Sequence, residues 1–521
     1  MRILIFHGYL LHGTGSNVYN ARLAPALAAQ GHVVDLLSQE LRAEELPFVD
    51  AVGTWEAGEP RMCILREPVR VTAWRPEIGG LLPVYVADRY EGVRAIPYLE
   101  CSDEQIEAYV ASNVAAVRDV AARARPDAAL ANHLVMGPRI VARALEGAVP
   151  YAVKVHGSAL EYVVKRDPER FLPAAREGLA GASAVLCGSR HTAESLWAAM
   201  GDDELPARTR LGPPGVDVHE FRPRPRAEAV AGVHELATRL QAAAAPDGPA
   251  QSAFSRDEPA AGRALAGLDL QRDRHVAFTG KLIVSKGVDL LVAAWPLVLR
   301  DVPDARLVVV GFGAFRDALE RLLAALAAGD VTVAREIALA GREAEGGPRA
   351  PLRHLLAFLD RLAADDEALS GYREAAGGLR ERVVLTGRLE HDELAPVLAA
   401  CEAQVVPSTF PEAFGMVAAE AAACGALPVS AAHSGLAEVT ATLQAAVPPA
   451  ARDWLAFEVG DGAVEAIAAR LVAWLHAPED LRAETRQALT TVARERYSWE
   501  GVARSVAAAA QGRLDELSPI A

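Results

Sequence analysis

The strongest constraint on the fold is a short unit that recurs along the 521-residue chain. Each unit consists of a short apolar run, a loop with glycine or polar residues, and a stretch whose apolar residues have helical spacing. The run from Ile3 to His7 begins a first series of such units, and the run from His275 to Gly280 begins a second. Apolar runs bounded in this way are typical of parallel strands that are buried on both faces. The pattern therefore predicts an α/β fold.

A break in composition separates the two series. Proline and glycine interrupt the pattern from Leu211 to Pro223, and residues 245–262 are rich in Ala, Pro, Ser and Gly. Such stretches are typical of domain boundaries and mobile linkers. Because a chain of this length also exceeds what one hydrophobic core supports, two domains are predicted. Extra helical spacing in residues 314–380 predicts a helical insertion in the second domain.

Charge and cysteine usage narrow the classes of partner and the compartment. The net charge of −15 argues against nucleic acid as the main partner and against broad attraction to anionic membranes. The 5 cysteines form no CxxC pair, which is typical of reduced thiols in the cytoplasm. The apolar start, Met1 to Phe6, is too short for a signal peptide, and no stretch is long enough to span a membrane. A cytoplasmic protein without a transmembrane segment is predicted, and peripheral contact with a membrane is compatible with this prediction.

The stretch that follows the apolar run from Ala403 to Pro407 predicts a binding site. Glu412 lies in a loop, and a helix is predicted from about Phe414. Unpaired amides at a helix N-terminus bind anions, and Gly415 lets a phosphate approach the backbone. Glu420, beyond the first turn, could accept hydrogen bonds from sugar hydroxyls. Anion and polyol sites side by side suggest a nucleotide-sugar, whereas two solvated glutamates are the alternative on these residues alone.

Two lysines follow the first strand of the second series. Lys281 and Lys286 lie in one loop, where they can converge on a single diphosphate as point charges. A solvated surface turn is the alternative, since lysine is mostly exposed in proteins.

The first series offers a histidine and a glycine-rich loop. His156 directly follows the predicted strand from Tyr151 to Val155, at a sheet edge where ligands of α/β proteins collect. A structural, hydrogen-bonding histidine is the alternative. The loop from Gly8 to Asn17 is not a GxGxxG fingerprint, so a nicotinamide site is poorly supported. A tight turn without a ligand explains this loop equally well.

As a set, these residues resemble glycosyltransferase family 4 of the GT-B fold. The resemblance covers nearly the whole chain and is most specific from Phe410 to Pro428. Supporting motifs are Gly280-Lys281 with Lys286-Gly287, the hinge from Pro213 to Phe221, the glycine-rich first loop, the turn Gly31-His32-Val33, and Tyr497-Ser498-Trp499.

The resemblance implies two Rossmann-like domains that face each other across a cleft, with the acceptor on the first and the donor on the second. The last helix would cross back to pack on the first domain. The N-terminal domain is predicted at residues 1–222, and a linker follows at 223–270. The nucleotide-sugar domain is predicted at 271–497, with its helical insertion at about 327–380, and the C-terminal helix at 498–521.

The implied reaction is transfer of a hexosyl unit from a UDP- or GDP-sugar to a hydroxyl acceptor, with retention of anomeric configuration. The acceptor would be a saccharide, a lipid-linked species or a small molecule, and no metal or other cofactor would be required. The leaving phosphate oxygen would take the acceptor proton, since no residue stands out as a covalent nucleophile. Other nucleotide-sugar chemistry, such as phosphorolysis or epimerisation, and a catalytically silent binding protein are the alternatives.

The resemblance also implies roles for single residues. Glu412 would contact hydroxyls of the donor sugar, Glu420 would contact the ribose, and His156 would point towards the donor sugar. Lys281 and Lys286 would bind the diphosphate and stabilise it as it leaves. Lys281 occupies a position where the family usually has arginine. Lysine keeps the positive charge but lacks the bidentate hydrogen-bonding geometry of arginine. The remaining implied binding residues are Gly13 and Gly15 at the diphosphate or acceptor pocket, the backbone of Arg388 and Leu389 beside the base, and the amides of Gly415, Met416 and Val417 on the diphosphate.

Overall fold

The computed structural model describes residues 1–13, 15–56, 58–85, 93–243 and 256–520. Within these residues, contacts divide the chain into two units. The first unit contains residues 1–215 and the C-terminal segment from Tyr497, and the second contains the chain from Val216 to Arg496. Each unit has its own sheet of mainly parallel strands with helices packed against it, so the predicted α/β class is confirmed.

A nine-stranded sheet forms the centre of the first unit, in the order β11-β10-β9-β8-β1-β2-β5-β3-β4. Its neighbouring strands are parallel except for the antiparallel pair β3 and β4. Ile3, Leu4 and Ile5 of the first strand are fully buried, as expected for a strand covered on both faces. The strands of this unit, with the separate parallel pair β6 and β7, are β1 (Arg2–Phe6), β2 (Val33–Leu37), β3 (Ala51–Glu56), β4 (Glu59–Ile64), β5 (Val71–Trp74), β6 (Leu81–Val84), β7 (Arg94–Pro97), β8 (Ala128–Asn132), β9 (Tyr151–Val155), β10 (Ala184–Cys187) and β11 (Thr209–Leu211).

In the first unit, the described residues between β2 and β7 contain no α-helix, whereas helices follow β1, β7, β8, β9 and β10. They are α1 (Gly15–Ala29), α2 (Asp103–Ala124), α3 (Gly137–Leu145), α4 (Pro168–Ala180), α5 (Arg190–Met200) and α6 (Leu205–Arg208). A capping box begins α2, because Ser102 accepts from the Gln105 amide and the Gln105 side chain accepts in return from the Ser102 amide.

A second, entirely parallel sheet lies in the second unit, in the order β14-β13-β12-β15-β16-β17. Its strands are β12 (Arg274–Thr279), β13 (Ala305–Val310), β14 (Val383–Gly387), β15 (Ala403–Val406), β16 (Leu427–Ala431) and β17 (Ala456–Phe457). The helices are α7 (Arg226–Gln241), α8 (Glu258–Ala266), α9 (Val288–Asp301), α10 (Arg316–Ala327), α11 (Val331–Ala340), α12 (Arg353–Ala363), α13 (Asp366–Ala376), α14 (Leu379–Arg382), α15 (His391–Ala399), α16 (Met416–Cys424), α17 (Ser434–Ala446), α18 (Ala463–His476) and α19 (Glu479–Tyr497).

Helices α10 to α14 lie between β13 and β14, in the region where a helical insertion is predicted. The apolar face of α12 is buried at Leu355, Phe358 and Leu359. The Tyr372 hydroxyl of α13 donates to the Ala293 carbonyl of α9 at 2.8 Å. The insertion is therefore packed onto the second unit.

The segment predicted as a linker contains α7 and α8, which pack against each other. A Cβ on Gly262 of α8 would lie 2.7 Å from the Ala237 carbonyl oxygen of α7, so the two backbones approach closely. Val233 and Leu236 of α7 are buried. The linker interpretation is corrected for these residues, because alanine-rich helices resemble a linker by composition alone. Residues 244–255 lie outside the described residues.

The C-terminal helix α20 (Trp499–Ala510) packs on the first unit. Ser498 caps it by accepting from the Gly501 amide, as the sequence predicts. The Trp499 ring lies 5.5 Å from the Tyr19 ring and also covers Gly215, where a Cβ would meet the indole at 2.5 Å. Among all the helices in the described part of the chain, none combines the length and apolar character that a membrane crossing requires.

Candidate functional site

The loop between β15 and α16 places Glu412 among hydrogen-bond donors. Its Oε1 accepts from Lys286 Nζ and, at 2.5 Å, from the Ser408 hydroxyl. Its amide donates to the Ser434 hydroxyl at 2.8 Å. Burial alone would raise the pKa of Glu412, but the charge of Lys286 and the two hydrogen bonds hold that pKa below its ordinary value. Glu412 is therefore an ionised carboxylate in a polar cluster.

The loop after β12 brings Lys286 to this cluster. Gly287 adopts the left-handed conformation with φ of 65°, and a Cβ there would lie 1.9 Å from the Pro407 carbonyl oxygen. The Thr409 amide donates to the Ser285 carbonyl at 2.9 Å, so the two loops are joined by their backbones. This close approach explains why glycine follows the second lysine.

Lys281 lies near a different group, the loop after β13. Its Nζ is 5.9 Å from the centre of the Phe312 ring, and the Arg388 guanidinium carbon is 5.7 Å from the same centre. Arg388 also donates to Glu390 at 2.8 Å, while Leu389 between them is half-buried. The sequence marks Gly311-Phe312-Gly313 only as a close-approach loop of weak specificity, and the nearness of the Phe312 ring to Lys281 and Arg388 is added by the structure.

Helix α16 supplies the second carboxylate. The helix begins at Met416 and Val417 without a side-chain cap, after Gly415 with φ of 122°. Glu420 lies in its second turn, and only 3% of its side chain is exposed. Its Oε1 lies 2.8 Å from His391 Nε2, a partner that the sequence did not reveal. Glu420 is a buried, hydrogen-bonded carboxylate rather than a solvated one.

His391 in turn packs against the first residues of the second unit. Its ring centre is 4.9 Å from that of Phe221, which lies shortly after the boundary at Val216. No spacing along the chain marks this pair, since the two rings come from segments that are far apart in sequence.

In the first unit, a hydrogen-bonded chain of polar side chains leads to His156. His156 Nε2 lies 2.8 Å from Asn132 Oδ1, Asn132 donates to Asn20 at 2.9 Å, and Asn20 lies 3.0 Å from His7 Nδ1. Burial, followed by the nearby His133 and Lys154, holds the pKa of His156 well below its ordinary value. His156 is therefore a neutral imidazole at neutral pH.

The glycine-rich loop of the first unit lies beside this chain. Gly13 has φ of 92°, and Gly15 begins α1. The Asn17 side chain donates to the His12 carbonyl at 2.6 Å and lies 3.0 Å from His7 Nε2. Thr14 is outside the described residues. The structure thus fixes the loop to the histidine network through Asn17.

The predicted site residues form two groups, one in each unit. The second unit holds Lys281, Lys286, Arg388, Leu389, Glu412, Gly415, Met416, Val417 and Glu420, and the first holds Gly13, Gly15 and His156. Across the described ranges, no group of three or more His, Cys, Asp or Glu side chains is arranged to hold a metal ion.

Two family models match the chain. Residues 14–215 match the "Glycosyl transferase 4-like domain", and residues 370–496 match "Glycosyl transferases group 1". Together these matches support a GT-B glycosyltransferase of GT4 type. The predicted resemblance is therefore confirmed, and so is the predicted class of enzyme at the level of the family.

A curated relative agrees with this family assignment. D-inositol 3-phosphate glycosyltransferase of Segniliparus rotundus is 30% identical over 270 residues, which are 52% of this chain. The aligned region spans 46% of that relative, about half its length.

Solved structures agree in fold. Sucrose-phosphate synthase from Thermosynechococcus elongatus has a TM-score of 0.56 at 19% identity, covering 99% of this chain and 98% of that one. Anabaena HepE in complex with UDP-glucose has a TM-score of 0.55 at 15% identity, covering 99% of this chain and 100% of that one. At these identities the likeness supports the GT-B fold.

Proposed function

We propose that this glycosyltransferase moves a hexosyl unit from a UDP- or GDP-sugar to a hydroxyl acceptor and retains the anomeric configuration. One observation carries the proposal: α16 starts without a side-chain cap, between Glu412, which pairs with Lys286, and the buried Glu420 in the sequence. This arrangement offers a cation and free amides for a diphosphate, and carboxylates for hydroxyl groups.

Phosphate binding is the first role that we assign. Lys286, Lys281 and the first amides of α16 would hold the diphosphate, and their positive charge would stabilise the negative charge that develops as it leaves. Because the loop with Lys286 is joined to the loop with Glu412, the cation would be in place before the donor binds. Preorganised charge of this kind lowers the barrier without reorganisation during the reaction.

Hydroxyl recognition is the second role. Ionised Glu412 would accept hydrogen bonds from hydroxyls of the transferred sugar, and Glu420 would accept them from the ribose. His391 would keep the Glu420 carboxylate in position, as a positioning residue. Phe312, whose ring lies near both Lys281 and Arg388, would offer an aromatic face near the base or sugar.

The proposed reaction needs no covalent intermediate on the protein. The acceptor oxygen would form its bond to the anomeric carbon on the face from which the diphosphate departs. The bond from that carbon to the diphosphate oxygen would break, and the acceptor proton would pass to the leaving oxygen. A contact of His156 with the donor sugar and binding of the acceptor to the first unit stay predictions. Transfer without a metal ion and action in the cytoplasm also stay predictions.

A panel of donors and acceptors tests the proposal. The protein would be titrated with UDP-glucose, UDP-N-acetylglucosamine and GDP-mannose, and nucleotide release would then be measured with each acceptor. HepE in its UDP-glucose complex makes UDP-glucose the first donor to try, and the Segniliparus relative makes an inositol phosphate the first acceptor. Acceptor-dependent release of UDP or GDP supports transfer. Binding without release with any acceptor supports a silent binding protein, and phosphate-dependent or acceptor-free conversion of the donor supports a phosphorylase or an epimerase.

A further inference from the structure

A carboxylate of the helical insertion holds the loop that carries Lys286. Glu345 Oε2 accepts a hydrogen bond from the Val284 amide at 2.8 Å. Val284 is the first residue of a 3-10 turn, Val284–Lys286, and Glu345 ends another such turn, Arg342–Glu345, between α11 and α12. The insertion is thus bonded directly to the turn whose last residue contacts Glu412.

Glu345 is itself fixed in place. Its Oε1 accepts from Arg342 Nε at 3.1 Å, and only 11% of its side chain is exposed. The base of the turn is closed by the Arg342 amide, which donates to the Ala350 carbonyl at 3.1 Å. A Cβ on Gly341 would lie 1.9 Å from the Ala350 oxygen, so the chain segments on either side of the turn are in direct contact. The carboxylate is therefore presented from a closed loop rather than from a free side chain.

The lysine turn has further backbone contacts. The Gly287 amide donates to the Val284 carbonyl at 3.1 Å, and the Lys286 amide donates to the Ile283 carbonyl at 3.0 Å. Ser285 accepts from the Thr409 amide, and Gly287 packs against Pro407. On the side of Val284, by contrast, a cavity of about 170 Å³ lies between the turn and the insertion, lined among others by Val284, Asp289 and Leu352. Because side chains do not fill this space, the hydrogen bond to Glu345 is the contact that ties the Val284 amide to the insertion.

We propose that Glu345 is a positioning residue through which the helical insertion sets the place of Lys286 and thereby the affinity for the donor diphosphate. A carboxylate that accepts from an amide forms a charge-assisted hydrogen bond, which is stronger than a neutral one. Its loss lets the start of the turn move, and Lys286 then spends less time at the diphosphate position. The claim about affinity rests on the proposed function, whereas the claim about the turn does not.

Hydrogen exchange tests the turn without any ligand. Amide exchange of residues 284–287 would be followed by mass spectrometry in the full-length protein for Glu345→Ala, Glu345→Gln and Glu343→Ala. Glu343 is an exposed residue of the same 3-10 turn and serves as the matched control. We expect about tenfold faster exchange in Glu345→Ala. Glu345→Gln should stay near wild type, because its amide oxygen can still accept, and Glu343→Ala should equal wild type. Equal exchange in Glu345→Ala and wild type would overturn the proposal.

Nucleotide affinity tests the consequence. Calorimetric titration with UDP and GDP should give a dissociation constant about tenfold higher for Glu345→Ala, with Glu345→Gln in between and Glu343→Ala unchanged. A dissociation constant that is unchanged while exchange increases would contradict the role in donor binding. If the wild-type protein binds neither nucleotide, the proposed function fails, and the exchange measurement still decides the role of Glu345. Should Glu345→Ala fail to fold, Arg342→Ala takes its place, because Arg342 holds the Glu345 carboxylate. We then expect faster exchange and weaker nucleotide binding in Arg342→Ala, with exchange in Glu345→Gln near wild type, and an unperturbed Arg342→Ala would overturn the proposal.

Discussion

Lys286 and Glu412 form an ion pair although they lie in different loops of the second unit, and the same carboxylate oxygen accepts from Ser408 at 2.5 Å. The pair explains two features of the site together. Glu412 stays ionised in spite of burial, and Lys286 is held at the loop that leads into α16. A carboxylate for hydroxyls and a cation for phosphate are thereby kept side by side.

Replacement of Ser408 should shift the pH dependence of activity. Burial raises the pKa of Glu412, and the Ser408 hydrogen bond is one of the contacts that lower it, so Ser408→Ala should raise that pKa. Because the account needs Glu412 ionised, the acid limb of the kcat/KM profile should move to higher pH by about one unit. Ser370→Ala, at an exposed position of α13, is the control. An acid limb that stays in place would show that Glu412 does not set it.

Replacement of Glu420 should weaken nucleotide binding. Its buried carboxylate is proposed to accept hydrogen bonds from the ribose. Because a hydrogen bond to a charged group contributes about 1.5–3 kcal/mol, the dissociation constant for UDP or GDP should rise about 10- to 100-fold in Glu420→Ala. Calorimetry gives the constant directly, with the exposed Glu495→Ala as control. An unchanged dissociation constant would remove Glu420 from the site.

A comparison of two glycines, both with left-handed backbone, separates the cost of a steric clash at Pro407 from the cost of backbone strain. A Cβ at Gly287 would meet the Pro407 oxygen at 1.9 Å, whereas a Cβ at Gly346, with φ of 81°, would meet nothing within 4 Å. Gly346→Ala should therefore cost about 1 kcal/mol of unfolding free energy from strain alone. Gly287→Ala should cost about 3 kcal/mol and should also reduce donor binding, since the two loops move apart. Equal losses of stability in urea unfolding would contradict the packing described for Gly287.

Asp289 should make the stability of the second unit depend on pH. Burial raises its pKa from 3.8 to about 7, in spite of backbone hydrogen bonds that lower it. The folded protein therefore binds this proton more tightly than the unfolded chain, and the contribution to stability is full below pH 3.8 and lost as the pH rises to about 7. Asp289→Asn should remove this loss of unfolding free energy with rising pH, which is at most about 4 kcal/mol. The free energy of unfolding would be measured in urea at two test values, pH 5 and pH 8. The difference between the two free energies should be smaller in the variant than in wild type, and an equal difference would refute the assignment.

The sequence predicted those features that depend on local patterns. The apolar runs of β1, β12 and β15 indicate buried parallel strands because they are short, largely apolar and bounded by loop residues. Ser498 could be assigned as a cap because capping is a property of adjacent residues.

Contacts between distant segments could not be predicted in the same way. His391 meets Glu420, and Glu345 meets Val284, only because the folded chain brings separate elements together. Helix α8 was predicted as part of a linker because its alanine-rich composition resembles one, and only packing distinguishes the two.

The most direct test of the central claim is the stereochemistry of transfer by wild type and Glu412→Gln. Each protein would be incubated with the donor selected by the panel and an accepting hydroxyl compound, and nucleotide release and the anomeric proton of the product would be followed by NMR. The account predicts a product with the donor's anomeric configuration and release at least about 100-fold slower in Glu412→Gln. A product of inverted configuration, or full activity in Glu412→Gln, would contradict it.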